Sequence, residues 1–385
     1  MSETTQLPDG IYFDLPAEIY HAQNRLSNTN LCRLLISPGD FWAGSWMNPE
    51  PRKDDDTPAR ILGRAYHCAR FEPDQLDQRF VSEIEPDPEV HTLTNDFMIQ
   101  TELAELGEPK MKKGERVLDR ALRLRGCGYS GAIWHLDLAE WEEQRAGRTP
   151  INAEIWRQMK RNVRRLHGNP EVAAYFEGGK SEVTILWTDE ATGLQFKARF
   201  DFLKPGQVID FKTFENPQGK NIYQCISDAF RFRRYYVQAL LYWKACELIR
   251  EGKVADEYDP DHQWTDSQVD LIADIEARQT PLDVTFIWQQ KGDVPNIFVR
   301  KIKLFAPHES HRHNRGGADE DVADSVEEKT MKPTRLHIKA NFEIRRAIET
   351  YQQCMDVFGP DQPWLALDYI GATTDDDFSS WWLDH

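Results

Sequence analysis

The sequence predicts an α/β or α+β fold in which helices before and after a set of strands cover one central mixed sheet. Helical periodicity runs through much of residues 16–71 and 151–176. Just past Gly178-Gly179 the pattern turns β-branched and aromatic, and helical signal returns at 228–248 and 335–358.

Residues 16–47 read as two short helices broken at Ser37-Pro38, with Ser27 or Asn28 as N-cap. Residues 57–71 read as a helix carrying Gly63 and His67, and 82–150 as mixed and polar. The helix over 151–176 ends near Gly178. Glu182 to Trp187 is a strand, Asp189 to Gly193 a turn, and Leu194 to Asp201 the returning strand of a hairpin. After a turn at Gly206, Val208 to Lys212 is a third strand. One long aromatic helix is expected over Asp228 to Leu248, and two late strands over Leu282–Gln289 and Asn296–Leu304. The polar stretch from Pro307 to Lys332 is expected to be poorly ordered, ahead of a last helix over about 335–358 and an acidic tail bearing Trp381 and Trp382. The helices on both sides of the strands serve one sheet. The expected organisation is therefore a single domain over 1–306, with an N-terminal helical part at 10–80 and a core at 150–306. A flexible charged segment at 307–334 follows, and a C-terminal part at 335–385 packs on or extends that domain.

The chain of 385 residues is 40% hydrophobic and 29% charged, which is ordinary globular composition. No apolar run approaches the ~20 residues that span a bilayer. The acidic N-terminus has no secretory pattern, and six scattered cysteines without a CxxC pair fit a reducing compartment. The expectation is a cytoplasmic protein without a membrane partner.

A net charge of −17 argues at first sight against nucleic acid, since phosphate contacts need Lys and Arg. Clustering matters more than the sum. Lys110, Lys112, Lys113, Arg116, Arg120, Arg123 and Arg125 form one run. Arg157, Lys160, Arg161, Arg164 and Arg165 form a second at helical spacing, and Arg231, Arg233 and Arg234 a third. Each run is either a solvated helix face or part of a DNA path.

The chemistry is concentrated between Arg199 and Thr213. Asp201 and Asp210 end adjacent strands, and Lys212 follows Asp210 by two residues, so the pair shares a face. Paired carboxylates at strand ends make a hard oxygen site suited to Mg²⁺ or Mn²⁺ rather than zinc. A lysine beside such a site can orient or deprotonate water, or neutralise charge on a phosphoryl group. The competing reading is a surface hairpin whose charges pair with one another.

Strand–Asp201–strand–Asp210-x-Lys212 resembles the PD-(D/E)XK nuclease signature. Gly63-x3-His67 resembles an element that precedes this core in RecB-type nucleases, and Gln238-x3-Tyr242 one in the helix after the lysine strand. Tyr20-His21-Ala22, Leu26-Ser27, Ser37-Pro38 and Phe71 to Asp74 further resemble the RecE (exonuclease VIII) nucleases, and the likeness covers about residues 10–305.

The resemblance implies a restriction-endonuclease-like core. His67, Asp201, Asp210 and the carbonyl of Phe211 would hold Mg²⁺ or Mn²⁺, Lys212 would be the catalytic lysine, and Glu182 a further acidic residue of the site. It places Gln238 and Tyr242 near the DNA backbone, while Arg231, Arg234, Arg161 and Arg165 are candidate DNA contacts from the basic runs. It implies 5′→3′ digestion of linear duplex DNA to leave 3′ single strands for phage-type recombination, and a homo-oligomeric ring by analogy. A single-strand annealing or single-strand-binding protein is the expected partner, with the acidic tail as a docking segment or a part of the core. An iron–sulfur cluster is not expected, because only Cys354 lies late in the chain. His308, His311 and His313 are not expected to form a metal site. An endonuclease or single-strand-specific nuclease on the same core, and a non-catalytic DNA-end-binding module, remain the alternatives.

Overall fold

The computed structural model describes residues 6–52, 56–254, 264–294, 296–307 and 331–366. The chain opens with β1 (Gly10–Tyr12), α1 (Ala17–His21), α2 (Asn28–Leu34) and α3 (Pro38–Ala43). Ser27 caps α2 reciprocally with Asn30, and Ser37 caps α3 with Pro38 in its first turn. Thus Ser37-Pro38 starts a helix rather than only breaking one. Next come α4 (Pro58–Phe71), α5 (Pro73–Arg79), β2 (Phe80–Ser82), α6 (Asp96–Glu105), α7 (Val117–Gly126), α8 (Trp134–Gln144), β3 (Thr149–Ile151), α9 (Ala153–His167) and α10 (Pro170–Ala173). The strands β4 (Lys180–Thr188), β5 (Gln195–Lys204) and β6 (Gln207–Phe214) precede α11 (Ile222–Phe232), α12 (Tyr235–Arg250) and α13 (Asp266–Glu276). The chain closes with β7 (Asp283–Gln290), β8 (Ile297–Ile302), β9 (Phe305–Pro307), β10 (Met331–Pro333) and α14 (Arg335–Phe358).

The described residues divide into two compact units. The sheet unit comprises residues 6–52, 174–289, 297–307 and 331–366, apart from those outside the description. Its six strands are ordered β1-β4-β5-β6-β7-β8. The pairs β1–β4, β4–β5, β5–β6 and β7–β8 are antiparallel. This is the central mixed sheet flanked by helices that the sequence predicts. Helix α12 buries Val237, Leu240, Leu241 and Ala245 in one core with Val183, Ile185, Phe200, Val208, Phe286 and Trp288. Each fully buried leucine of that helix contributes about 2 kcal/mol, so the helix is fixed firmly against the strands.

The expected continuous helix over 228–248 is instead two, α11 and α12. The break is Arg234, whose φ of 51° lies in the left-handed region. Neither Gly nor Pro marks it. The Arg234 Nε lies 3.3 Å from a Glu343 carboxylate oxygen on α14, a tertiary contact that holds the bend.

The helical unit comprises residues 56–173 and 290–296. It includes a short parallel pair, β2 with β3. Leu93, Ile99, Leu103, Ala121, Leu124 and Ile133 form a core of their own between α6, α7 and the start of α8. Arg120, buried, forks onto both carboxylate oxygens of Asp96 at 2.8 Å each. Arg123 pairs with Glu115. The first basic run is therefore partly consumed in holding this unit together.

All six cysteines are free thiols. Among the described residues no helix is long and apolar enough to cross a membrane. The segment 308–330 with its three histidines and the tail after residue 366 lie outside the described residues, as do the expectations placed on them.

Candidate metal centre

The sheet unit gathers its acidic residues where the ladder of strands is interrupted. In the β4–β5 hairpin Val183 pairs with Phe200 and Ser181 with Phe202, so Glu182 and Asp201 stand opposite each other in a continuous register, at the position where the ladder itself is interrupted. Glu182 has a φ of 55°, a left-handed conformation that costs a side chain with a Cβ about 1–3 kcal/mol. Opposite positions across the hairpin bring both carboxylates to one place, and an oxygen of each lies within 4.8 Å of the other.

The β5–β6 ladder also stops short. It runs from Lys204↔Gln207 to Phe202↔Ile209. Beyond it the N–H of Phe211 donates to Asp201 Oδ2 at 2.7 Å, a side chain taking over where a strand carbonyl would accept. Val208 and Phe214 belong to the main core, so by alternation Asp210 and Lys212 project from the same face of β6 toward α12. Asp210 is fully buried. Its Oδ1 accepts from Gln238 Nε2 at 2.8 Å and its Oδ2 lies 2.7 Å from Lys212 Nζ. Gln238 also meets the Tyr242 hydroxyl at 2.9 Å, and that hydroxyl donates to the Arg199 carbonyl at 2.7 Å. One turn of α12 therefore ties Asp210 to the strand that carries Asp201.

Electrostatics follow from this packing. Burial works against the Lys212 ammonium, but Asp210 and Asp201 outweigh it and raise the pKa above the ordinary lysine value. Lys212 is a cation here and not a poised base. Burial and the same two carboxylates raise the Tyr242 hydroxyl well above its ordinary value, so it stays a neutral donor. Arg199 answers Glu182 at 3.6 Å, bonds Thr184 and the Leu15 carbonyl, and lies over the Tyr20 ring at 4.5 Å.

Beside this cluster the sheet unit has a cleft of about 510 Å³ between the N-terminal helices and β5. Arg33, Lys197, Arg199, Gln238 and Tyr242 are among its lining residues. Lys197 donates to the carbonyls of Tyr20, His21 and Gln23, which fixes α1 against the sheet. Burial pushes its ammonium down to about 8, with Arg25 and Arg199 adding to the shift.

The structure thus brings together Glu182, Asp201, Asp210, Phe211, Lys212, Gln238 and Tyr242. Arg231 is exposed at the end of α11 with its guanidinium 4.4 Å from the Phe232 ring, whereas Arg234 is committed to Glu343. His67, Arg161 and Arg165 belong to the helical unit. His67 is half-buried on α4 beside the Phe71 ring. Arg161 faces Glu154 and Asp293, and exposed Arg165 forms no ion pair among the described residues. Sequence reasoning gave no role to Arg199 and Thr184. Their signal is the two-residue spacing that puts Arg199 on the strand face of Asp201 and Thr184 on that of Glu182.

Carboxylate oxygens brought this close, with no thiolate among them, fit a hard divalent ion such as Mg²⁺ or Mn²⁺. Two anions this close repel unless cations share them; Arg199 answers Glu182 at 3.6 Å, and Asp201 acts on the Lys212 ammonium.

None of the curated proteins matches the chain. A solved structure described as "Putative exonuclease" from Eubacterium rectale superposes at 12% identity with a TM-score of 0.44, covering 93% of this chain and 92% of its own. Residues 40–258, more than half of the chain, match the model of a PDDEXK-like domain of unknown function, DUF3799. That stretch contains the whole carboxylate cluster, Lys212, Gln238 and Tyr242, and the chain accordingly belongs to the PDDEXK-like DUF3799 family.

Proposed function

We propose that this protein is a divalent-metal-dependent DNA nuclease that digests linear duplex DNA from its ends in the 5′→3′ direction, as RecE-type nucleases do. The observation that carries the reading is the meeting of Glu182 and Asp201 across one hairpin, with Asp210 buried on the neighbouring strand and held by Lys212 and Gln238. An ion-paired surface hairpin would need neither the left-handed Glu182 nor a buried Asp210.

Asp201, Asp210, Glu182 and the Phe211 carbonyl would hold Mg²⁺ or Mn²⁺, with His67 as a further ligand by resemblance. The ion polarises the scissile phosphate and activates water when bound. Lys212, on the same face of β6 as Asp210, offsets charge on the phosphoryl oxygens and orients the attacking water by donating a hydrogen bond. Gln238 fixes the Asp210 carboxylate in one orientation. The cleft beside the site presents Arg33 and Arg199, which suits a phosphate of the DNA end. Arg231 and Arg165 are exposed and suited to phosphates further away. A ring-forming homo-oligomer and an annealing or single-strand-binding partner complete the reading by resemblance, in a phage-type recombination setting in the cytoplasm.

The test is linear duplex DNA labelled at either end, incubated with the protein and Mg²⁺ beside a circular duplex. Early release of the 5′ label with the circle spared is expected. A cut circle would make the protein an endonuclease. No cutting with Mg²⁺ or Mn²⁺, together with end binding unaffected by EDTA, would make it a binding module.

A further inference from the structure

Phe214 is four residues beyond Asp210 on β6, roughly 13 Å along the strand. Its ring meets Phe298 of the edge strand β8, with centroids 6.5 Å apart and planes at 61°. Phe298 in turn meets Tyr223 of α11 at 5.6 Å and 75°. Arg300, two residues after Phe298 and so on its face, brings its guanidinium to 5.6 Å from the Phe298 ring and 5.9 Å from the Tyr223 ring. A row of aromatic side chains therefore leads from the strand of the metal centre to the margin of the sheet and ends in an arginine.

The outer end of that row is open. Tyr223 is 63% exposed, which core packing does not account for. The stretch of chain from Lys220 to Arg234 also departs from the acidic character of the whole, whose net charge is −17. Exposed Arg231 and Arg233 on the same stretch form no ion pair among the described residues, and Lys220 has only Asp228 at 3.8 Å. Aromatic rings interleaved with arginine suit one class of ligand, a single strand whose unpaired bases offer flat π faces and whose phosphates offer charge. A duplex keeps its bases stacked inside and gives such rings nothing to stack on.

We infer that Tyr223, Phe298 and Arg300 form a subsite for unpaired bases of a DNA single strand, a few nucleotides from the bond cut at Asp210. Tyr223 and Phe298 stack on bases, and Arg300 contacts either a base face or the adjoining phosphate. The inference rests on the nuclease reading above for its place along the substrate. It assigns a strand, rather than only a duplex, to the surface beyond β6.

The full chain is titrated, in EDTA, with a fluorescent oligothymidylate and with an abasic oligonucleotide of equal length, both read by anisotropy. Tyr223→Ala is expected to weaken oligothymidylate binding on the order of tenfold, while Tyr223→Phe keeps it, because stacking needs the ring and not the hydroxyl. The abasic strand is expected to ignore Tyr223→Ala and to weaken with Arg300→Glu. Unchanged oligothymidylate binding by Tyr223→Ala, or equal losses on both strands, overturns the subsite. So does a dimer that Tyr223→Ala dissolves without affecting oligothymidylate binding, since the face is then a self-contact. Cleavage by the wild-type chain in Mg²⁺ is scored separately. A chain that cuts DNA but binds oligothymidylate independently of Tyr223 loses the subsite and keeps the nuclease. One that never cuts but shows the Tyr223-dependent binding keeps the subsite and loses the nuclease.

Discussion

Arg120 in the helical unit and Asp210 in the sheet unit are both buried charges, yet they are built differently. Arg120 closes on itself: both carboxylate oxygens of Asp96 and the Glu115 carbonyl take up its donors. Asp210 is held by Lys212 and Gln238 on the strand beside Asp201, whose carboxylate meets that of Glu182. A closed pair holds helices together and asks nothing more of its surroundings. A cluster of carboxylates supported by left-handed backbone is costly unless something else uses it. The contrast sets a charge closed by its own partners against one held beside other carboxylates.

Substitutions break this comparison in graded steps. The largest effect is expected from Lys212→Gln, which keeps a donor for Asp210 and removes the cation. Metal-dependent cleavage should fall by about 10²–10³-fold, measured on linear duplex DNA with folding checked by circular dichroism. If Lys212 only balances charge for stability, cleavage by the folded variant stays at the wild-type rate. Next is Arg120→Ala, which strands Asp96 and should cost about 3 kcal/mol of stability in chemical denaturation. Hydrogen exchange should show the loss in α6 and α7; uniform loss across the sheet unit would contradict the division of the chain.

Gln238→Ala removes the group that fixes the Asp210 carboxylate. Divalent-ion affinity, read by calorimetry, is expected to fall by about 10–100-fold. Wild-type affinity in this variant would leave the Gln238–Asp210 bond without a role in the site. Smallest is Lys160→Ala on α9, whose exposed partner Asp77 lies 3.2 Å away. Its melting free energy should stay within about 0.5 kcal/mol of the wild type; a larger change would show that the second basic run is structural as the first is.

The same contrast explains what the sequence disclosed. Asp201, Asp210 and Lys212 were legible because strand period and two-residue spacing are local properties, and Gln238 and Tyr242 through their resemblance to a family motif. The strands β4 to β8 and the cap at Ser27 were legible because their patterns are local too. Glu182 was a candidate through the family resemblance, but its left-handed backbone is signalled by no local pattern. The break at Arg234 depends on Glu343 in the last helix, so an unbroken helix was the natural reading. Strand β1 has three residues and exists because β4 offers it an edge. In the run from Lys110 to Arg125, spacing exposed the clustering of charge but not the acidic residues that pair with Arg120 and Arg123.

If Glu182, Asp201 and Asp210 form a metal-dependent site that hydrolyses DNA, the carboxylate of Asp210 is indispensable to it. The most direct test compares the wild type with Asp210→Asn, a nearly isosteric change that Gln238 can still bond, on end-labelled linear duplex with Mg²⁺ and with EDTA. The account predicts cleavage by the wild type in Mg²⁺, none in EDTA, and a loss on the order of 10³-fold or more in the folded variant. Equal cleavage by Asp210→Asn, or cleavage that survives EDTA, would contradict it.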